Sequence, residues 1–282
     1  MRRIFHLSVL CLAVGAASAC STPDQIVNTP NTPTAGVRFI NAVPDTNAMD
    51  MRFVDIVESN AQYGISFRNN PVTSGGVTAS AAVEFKNTQA GSRHLRIFLS
   101  SNVQSIASTV IKDTTVTVAA GKLYTAVMWG TARSGGMKFA FIEETVPDPA
   151  TNVGLRVMNA TGAAIDVRQY ASTGTVPATA TWASVAPYAQ SSFVNAAPSQ
   201  IRFNVTAAGS GTAMFADGLA LIGAAAAVDL EGLPGTTIAG SAVTAVVYPA
   251  SVVGSNAPQT AAFLAPQMSF IWDRRPPRIA GS

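Results

Sequence analysis

His94, the adjacent acids Glu143 and Glu144, and the cysteine at position 20 are the side chains of this sequence with the greatest chemical reach. Each is short of partners. A Ser-His-Asp relay needs a supporting context such as Gly-x-Ser-x-Gly, which the chain lacks, and His94 lies in a predicted strand beside Arg93, where a structural role is expected. No serine stands three positions before a lysine, which removes the Ser-x-x-Lys acyl-transfer pattern. His-Glu-x-x-His, paired cysteines and a calcium loop of alternating acids are all missing. Two close carboxylates could run glycoside hydrolysis, but Glu143-Glu144 ends a predicted strand, where acidic side chains are expected to be solvated. No catalytic, cofactor-binding or metal-binding residue is nominated. The expectation is a protein that is not an enzyme and carries no cofactor.

Cys20 has a different use. Arg2 and Arg3 precede an apolar run from Ile4 to about Ala17, and Ala17-Ser18-Ala19 supplies small residues just before Cys20, the layout of a bacterial export signal. The apolar run is shorter than the roughly 20 residues that span a bilayer and contains His6 and Ser8, so it reads as a signal and not an anchor. The other cysteine, Cys11, lies within the leader, which leaves Cys20 without a disulfide partner. Lipidation of Cys20 is therefore expected, with simple secretion as the alternative, because Ala17-Ser18-Ala19 also suits ordinary signal peptidase. The N-terminus resembles those of Gram-negative lipoproteins, in which a residue other than Asp after the cysteine implies outer-membrane delivery; Ser21 fits that pattern.

Removal of Arg2 and Arg3 with the leader lowers the formal charge from +3 to +1. The arginines are scattered and form no basic stripe, which argues against nucleic acid as a partner. From Ser21 to Ala35 the chain holds three prolines and no apolar periodicity. Such a tether could hold a domain about 45 Å from the lipid.

Beyond the tether the sequence repeats. Val37-Arg-Phe-Ile-Asn-Ala42 is answered by Leu155-Arg-Val-Met-Asn-Ala160, and Asp50-Met-Arg52 by Asp166-Val-Arg168. Leu95-Arg-Ile97 is echoed by Ile201-Arg-Phe203, and Thr125-Ala-Val127 by Thr244-Ala-Val246. Phe141-Ile142, with acids after it, matches Phe270-Ile271 with Asp273. Landmarks in one order at offsets of about 106 to 129 residues mean duplicated domains and not a solenoid. The repeat-equivalent polar set is Arg38, Asn41, Asp50 and Arg52 against Arg156, Asn159, Asp166 and Arg168. It is expected to be structural, an ion-pair and hydrogen-bond lattice that pins strand register, with each aspartate on the same face of its sheet.

Short segments rich in Val, Ile, Phe and Thr alternate with turns such as Pro44-Asp45, Ser74-Gly75-Gly76 and Ser134-Gly135-Gly136. Strands are predicted at about 37–42, 49–57, 80–87, 93–100, 103–111, 114–118, 123–130 and 137–143 in the first copy, with a helical turn allowed in 212–230. The fold class is all-β: two tandem immunoglobulin-like β-sandwich domains after a signal peptide and flexible tether. The expected divisions are 1–19 signal peptide, 20–35 lipidated cysteine and tether, 36–147 first sandwich, 152–273 second sandwich and 274–282 basic Pro-rich tail.

The run Val37-Arg-Phe-Ile-Asn-Ala-Val-Pro-Asp45, then Met49-Asp-Met-Arg-Phe53, then Val118-Ala-Ala-Gly121 leading into Tyr124-Thr-Ala-Val127, resembles the bacterial domain of unknown function DUF4397. The likeness spans most of 36–145 and, less cleanly, 152–273. In the second copy Thr161-Gly162 replaces the Pro-Asp turn and Val243 the tyrosine. The resemblance implies an exported, often lipid-anchored and often tandem protein without an established activity.

The expected function is that of a non-catalytic cell-envelope lipoprotein, held to the outer membrane through lipid on Cys20 and binding a polypeptide or glycan. The alternatives are a purely structural spacer and a carboxylate-dependent hydrolase. Exposed aromatics would favour binding, with Trp129, Trp182, Tyr188 and Trp272 as candidates, although strand aromatics usually belong to the core. The tail Asp273-Arg-Arg-Pro-Pro-Arg278 is expected to be solvated; its arginines would suit an anionic partner.

Overall fold

A computed structural model describes residues 32–46, 49–55, 67–69, 83–99, 101–227, 230–251 and 265–278. The leader, Cys20, most of the tether and the predicted turn at Ser74 lie outside the described residues. Residues 33–282 form one unit.

The first sandwich contains β1 (Thr34–Ala42), β2 (Met49–Phe53), β3 (Phe67–Asn69), β4 (Lys86–Gln89), β5 (Gly91–Leu99), α1 (Gln104–Ala107), β6 (Val110–Val118), β7 (Leu123–Trp129) and β8 (Lys138–Glu144). Its inner sheet has the order β4-β1-β7-β8 and its outer sheet β3-β2-β5-β6. The first strand lies parallel to the seventh, with Arg38 opposite Thr125. Parallel neighbours require a crossover, and the strands of the outer sheet supply it.

The second sandwich contains β9 (Val153–Asn159), β10 (Ile165–Ala171), β11 (Trp182–Val185), β12 (Ala189–Gln190), β13 (Val194–Ala196), β14 (Ile201–Ala207), β15 (Gly218–Leu219), β16 (Ala242–Tyr248) and β17 (Gln267–Arg274). Its outer sheet has the order β11-β10-β14-β15, and its inner sheet runs β12-β9-β16-β17 with β13 also paired to β9. Here β9 lies parallel to β16, and Arg156 faces Thr244 as Arg38 faces Thr125. The two sandwiches thus share one unusual pairing, a first strand laid parallel to a late one.

Side-chain alternation sorts the strands into layers. Val37, Phe39, Met49, Met51, Leu95, Ile97, Ala126 and Met128 close the core of the first sandwich. Leu155, Val157, Ile165, Val167, Phe203, Val205, Val243 and Ala245 close that of the second. The opposite faces of the inner strands meet in a third core, where Ile40, Val127 and Trp129 pack with Met158, Val246, Tyr248 and Ile271. The order is therefore outer, inner, inner, outer: four sheets with three apolar layers between them. Both faces of β1 and β9 are buried, and this burial takes in the polar side chains Arg38, Asn41, Arg156 and Asn159.

Three expectations change. The strand predicted over 103–111 is a one-turn helix, α1, followed by the start of β6, which runs unbroken through the two segments predicted separately. The stretch 212–230 holds β15 and isolated bridges, not a helical turn, within its described residues. The echo of Leu95-Arg-Ile97 in Ile201-Arg-Phe203 is out of register. With Asp50 matched to Asp166, Leu95 opposite Phe53 corresponds to Phe203 opposite Gln169, a slip of two that keeps the buried face buried.

Candidate functional site at the junction of the sandwiches

Both inner sheets bring an arginine, a threonine and an acid to the shared face. In the first sandwich Arg38 Nε donates to Thr125 Oγ1 at 2.9 Å, and the Thr125 hydroxyl donates to Glu144 Oε1 at 2.5 Å. In the second, Arg156 Nε donates to Thr244 Oγ1 at 2.7 Å, and that hydroxyl donates to Asp273 Oδ2 at 2.6 Å. The parallel registers Arg38 to Thr125 and Arg156 to Thr244 place these groups side by side. Glu144 lies two residues beyond Ile142, the partner of Thr125, and Asp273 two beyond Ile271, the partner of Thr244. Asp273 sits at a shift in register, where a β-bulge re-aims the side chain.

The guanidinium heads then cross over. Arg38 Nη2 donates to Asp273 Oδ1 at 2.6 Å, while Arg156 Nη1 and Nη2 fork onto Glu144 at 2.6 and 3.1 Å. Two further contacts close the square: Arg156 Nη2 to Asp273 at 2.8 Å and Arg38 Nη2 to Glu144 at 3.4 Å. Phe85 covers the Arg38 guanidinium at 4.5 Å, and Phe193, just before β13 as Phe85 is just before β4, covers Arg156 at the same distance. None of the four charged side chains is more than 2% exposed. The arrangement is a quasi-two-fold lock in which each arginine uses its own threonine and the other sandwich's acid.

Burial pushes the Glu144 carboxyl up, but the hydrogen bonds and charge of Arg156, the charge of Arg38 and the Thr125 hydroxyl outweigh it and hold the group at about 2. For Arg156 burial opposes the charge, and Asp273 and Glu144 reverse that and raise it. Glu144 therefore stays ionised at neutral pH and is sealed from solvent. Such a carboxylate lacks the raised pKa and the access that a general acid needs.

An open cleft of about 420 Å³ lies beside this lock. The first sandwich contributes Val83, Glu84 and Phe85; the second contributes Glu231, Trp272, Asp273 and Arg275. The indole N–H of Trp272 is buried with no hydrogen-bond partner among the described residues.

Sequence reasoning grouped Arg38 and Arg156 with the aspartates of the outer sheets. The structure separates them. Arg38 and Arg156 face the junction, whereas Asp50, Arg52, Asp166 and Arg168 lie on outer-sheet strands that alternate with core residues and point away from the core. Asp50 and Asp166 occupy equivalent strands, since β2 pairs with β5 as β10 pairs with β14. Their partners differ. Asp50 meets Arg52 at 3.4 Å, while Asp166 accepts the backbone N–H groups of Ser184 and Gly209 at 2.7 and 2.9 Å, and these hold its carboxyl below the usual range. Arg168 turns to Thr206 and the Ala178 carbonyl. Asn41 and Asn159 accept from the backbone N–H two residues on, Val43 and Thr161, so both shape the turn that leaves the inner sheet.

Other candidates are also relocated. Glu143 is solvated and pairs with Lys122, but Glu144 is buried, contrary to expectation, because the second sandwich covers the edge where it ends. His94 is partly exposed and contacts Asp113 at 2.5 Å. Trp129, Trp182 and Trp272 are 3%, 6% and 7% exposed, and Tyr188 packs on Trp129. The basic tail is not free: Arg274 pairs with Asp148, Arg275 with Glu84 and Glu231, and Arg278 with Glu231. Among the described residues no three His, Cys, Asp or Glu side chains gather to hold a metal.

The buried Pro-Asp turn is the last landmark. Asp45 is 1% exposed and accepts the backbone N–H groups of Ala132 and Arg133 at 2.7 and 2.9 Å, which pins the β7–β8 turn against the exit of β1. A DUF4397 domain, described only as a domain of unknown function, covers residues 35–170. The DUF4397 span starts within β1 and ends one residue before β10 does, so it includes Arg38, Thr125, Glu144 and Arg156 and excludes Thr244 and Asp273. No curated protein matches the chain.

Missing from the sequence reading were the roles of Glu144 and Asp273. The usable signal was their matched position, two residues after Ile142 and Ile271, within strands whose neighbours are buried.

Proposed function

We propose that this protein is a non-catalytic lipoprotein of the cell envelope, tandem in DUF4397 domains, that binds an envelope polypeptide or glycan at the cleft between its sandwiches. The cleft carries this reading. Its volume of about 420 Å³ falls in the range of ligand sites, it combines apolar and charged walls, and residues of both sandwiches form it. The buried lock fixes the two walls relative to each other, a rigid base for recognition. Anchorage through lipid on Cys20, on the outer membrane, is supported by the leader-like residues 1–19 and by Ser21.

The test is binding of the full mature chain to arrays of envelope glycans and peptides, set against a Val83→Asp variant that puts a charge into the cleft wall. Val83 also packs in the apolar layer between the sandwiches, so urea unfolding accompanies the test: binding abolished in a variant that still folds supports the reading, and binding indifferent to it moves the site elsewhere. A structural spacer is the second reading, favoured by the burial of Trp129, Trp182 and Trp272, and the absence of any array ligand would select it.

A further inference from the structure

Beyond β17 the described chain borders the cleft, and Arg275 is one of its lining residues. After β17, Arg275 bridges Glu84 of the first sandwich and Glu231 of the second, and Arg278 returns to Glu231. Between the arginines, Pro276 and Pro277 lie on bare backbone. A Cβ on Gly232 would stand 2.8 Å from Pro276 Cγ, and one on Gly240 would stand 2.6 Å from Pro277 Cδ. Gly240 also has φ of +80°, so its place is doubly reserved for glycine. Two glycines make room for two prolines, and two acids clamp the flanking arginines.

We infer that residues Arg275–Arg278 are a displaceable strap, an internal ligand that occupies a seat for a basic, proline-bearing polypeptide segment. This deepens the binding reading above and rests on it. The occupant is argued from the segment already seated there: Gly232 and Gly240 leave room for proline rings, and Glu84 and Glu231 accept from guanidinium groups. The clamps can release. Glu84, Glu231 and Arg275 all have side chains more than two-fifths exposed, and exposed ion pairs are weak and screened by salt. The proline–glycine contacts give shape, the ion pairs give charge selection, and neither holds the tail irreversibly.

The experiment uses the full mature chain, its Arg275→Gln/Arg278→Gln variant, and a labelled synthetic pentapeptide with the sequence of residues 274–278 as probe. Freed of its internal competitor, the variant is expected to bind the pentapeptide about tenfold more tightly than the wild type, because occlusion lowers apparent affinity by the fraction of open seats. That binding should weaken as salt rises from about 0.05 to about 0.5 M. Adding Glu84→Gln and Glu231→Gln to the variant should abolish it. Equal affinity for wild type and variant, or no binding to the variant, overturns the strap. So does a variant that gains affinity for a glycan and not for the peptide. Failure here leaves the cleft itself to be judged by the arrays, in which Val83→Asp changes the wall of the first sandwich and leaves the tail sequence intact.

Discussion

Arg156 forks onto both oxygens of Glu144, at 2.6 and 3.1 Å, from the opposite sandwich and within a buried interface. Only eight residues of chain separate the strands that carry them, β8 and β9. The connection is short, yet the contact is tertiary: the two side chains meet because two inner sheets face each other.

Removing one member of this lock leaves an unpaired buried charge. Glu144→Ala or Arg156→Ala should each destabilise the protein by about 3–5 kcal/mol in urea unfolding. Replacing Arg38, Glu144, Arg156 and Asp273 together by Met or Leu should cost much less than either single change, because no charge is then stranded. Single variants as stable as the wild type would show that the pairs carry no such role.

The same carboxylate makes stability depend on acid. Glu144 has an ordinary value of 4.5 and is held at about 2 in the folded chain. Its contribution is therefore complete above pH 4.5 and is lost as pH falls toward 2, about 3 kcal/mol in all. Urea midpoints measured across that window should fall in the wild type and fall less steeply in Glu144→Gln. Identical slopes would contradict the assignment.

Asp50 and Asp166 share a topological position but not an energetic one. Asp166 accepts two backbone N–H groups, and Asp166→Ala should cost about 1–3 kcal/mol. Asp50 meets only a half-exposed arginine at 3.4 Å among the contacts described, so Asp50→Ala should change stability by less than about 1 kcal/mol. Thermal unfolding of the two variants side by side checks this, and equal losses would refute the distinction.

The proposed leader carries Cys11, so its removal would leave Cys20 without a second cysteine in this sequence to pair with. Cys20→Ala should release the protein from membranes or block its processing, and labelled fatty acid should be incorporated into the wild type only. Wild-type protein recovered in the soluble fraction with a free Cys20 thiol would overturn the anchor.

Much of the fold was legible in the chain. Alternation of Met49, Met51 and Phe53 with polar neighbours marks a strand with one buried face. Burial of both faces of β1 was not legible, because Arg38 and Asn41 interrupt its apolar residues. The helical turn Gln104–Ala107 was not legible, since four residues carry no period and offer no capping side chain.

Sequence by itself determined the strand faces and the repeated order of residue types, because side-chain alternation and residue order are local properties of a chain. What faces what was decided only in three dimensions. Arg38 and Asp273 are 235 residues apart, and no periodicity encodes their meeting. It follows from stacking one inner sheet on another, which dehydrates four charges at once and leaves each arginine nothing to neutralise it but the acids of the shared face. The same stacking turned Glu144 from an expected solvated strand end into a buried anion. It also brought Glu84 and Glu231, unremarkable in sequence, to opposite sides of one cleft.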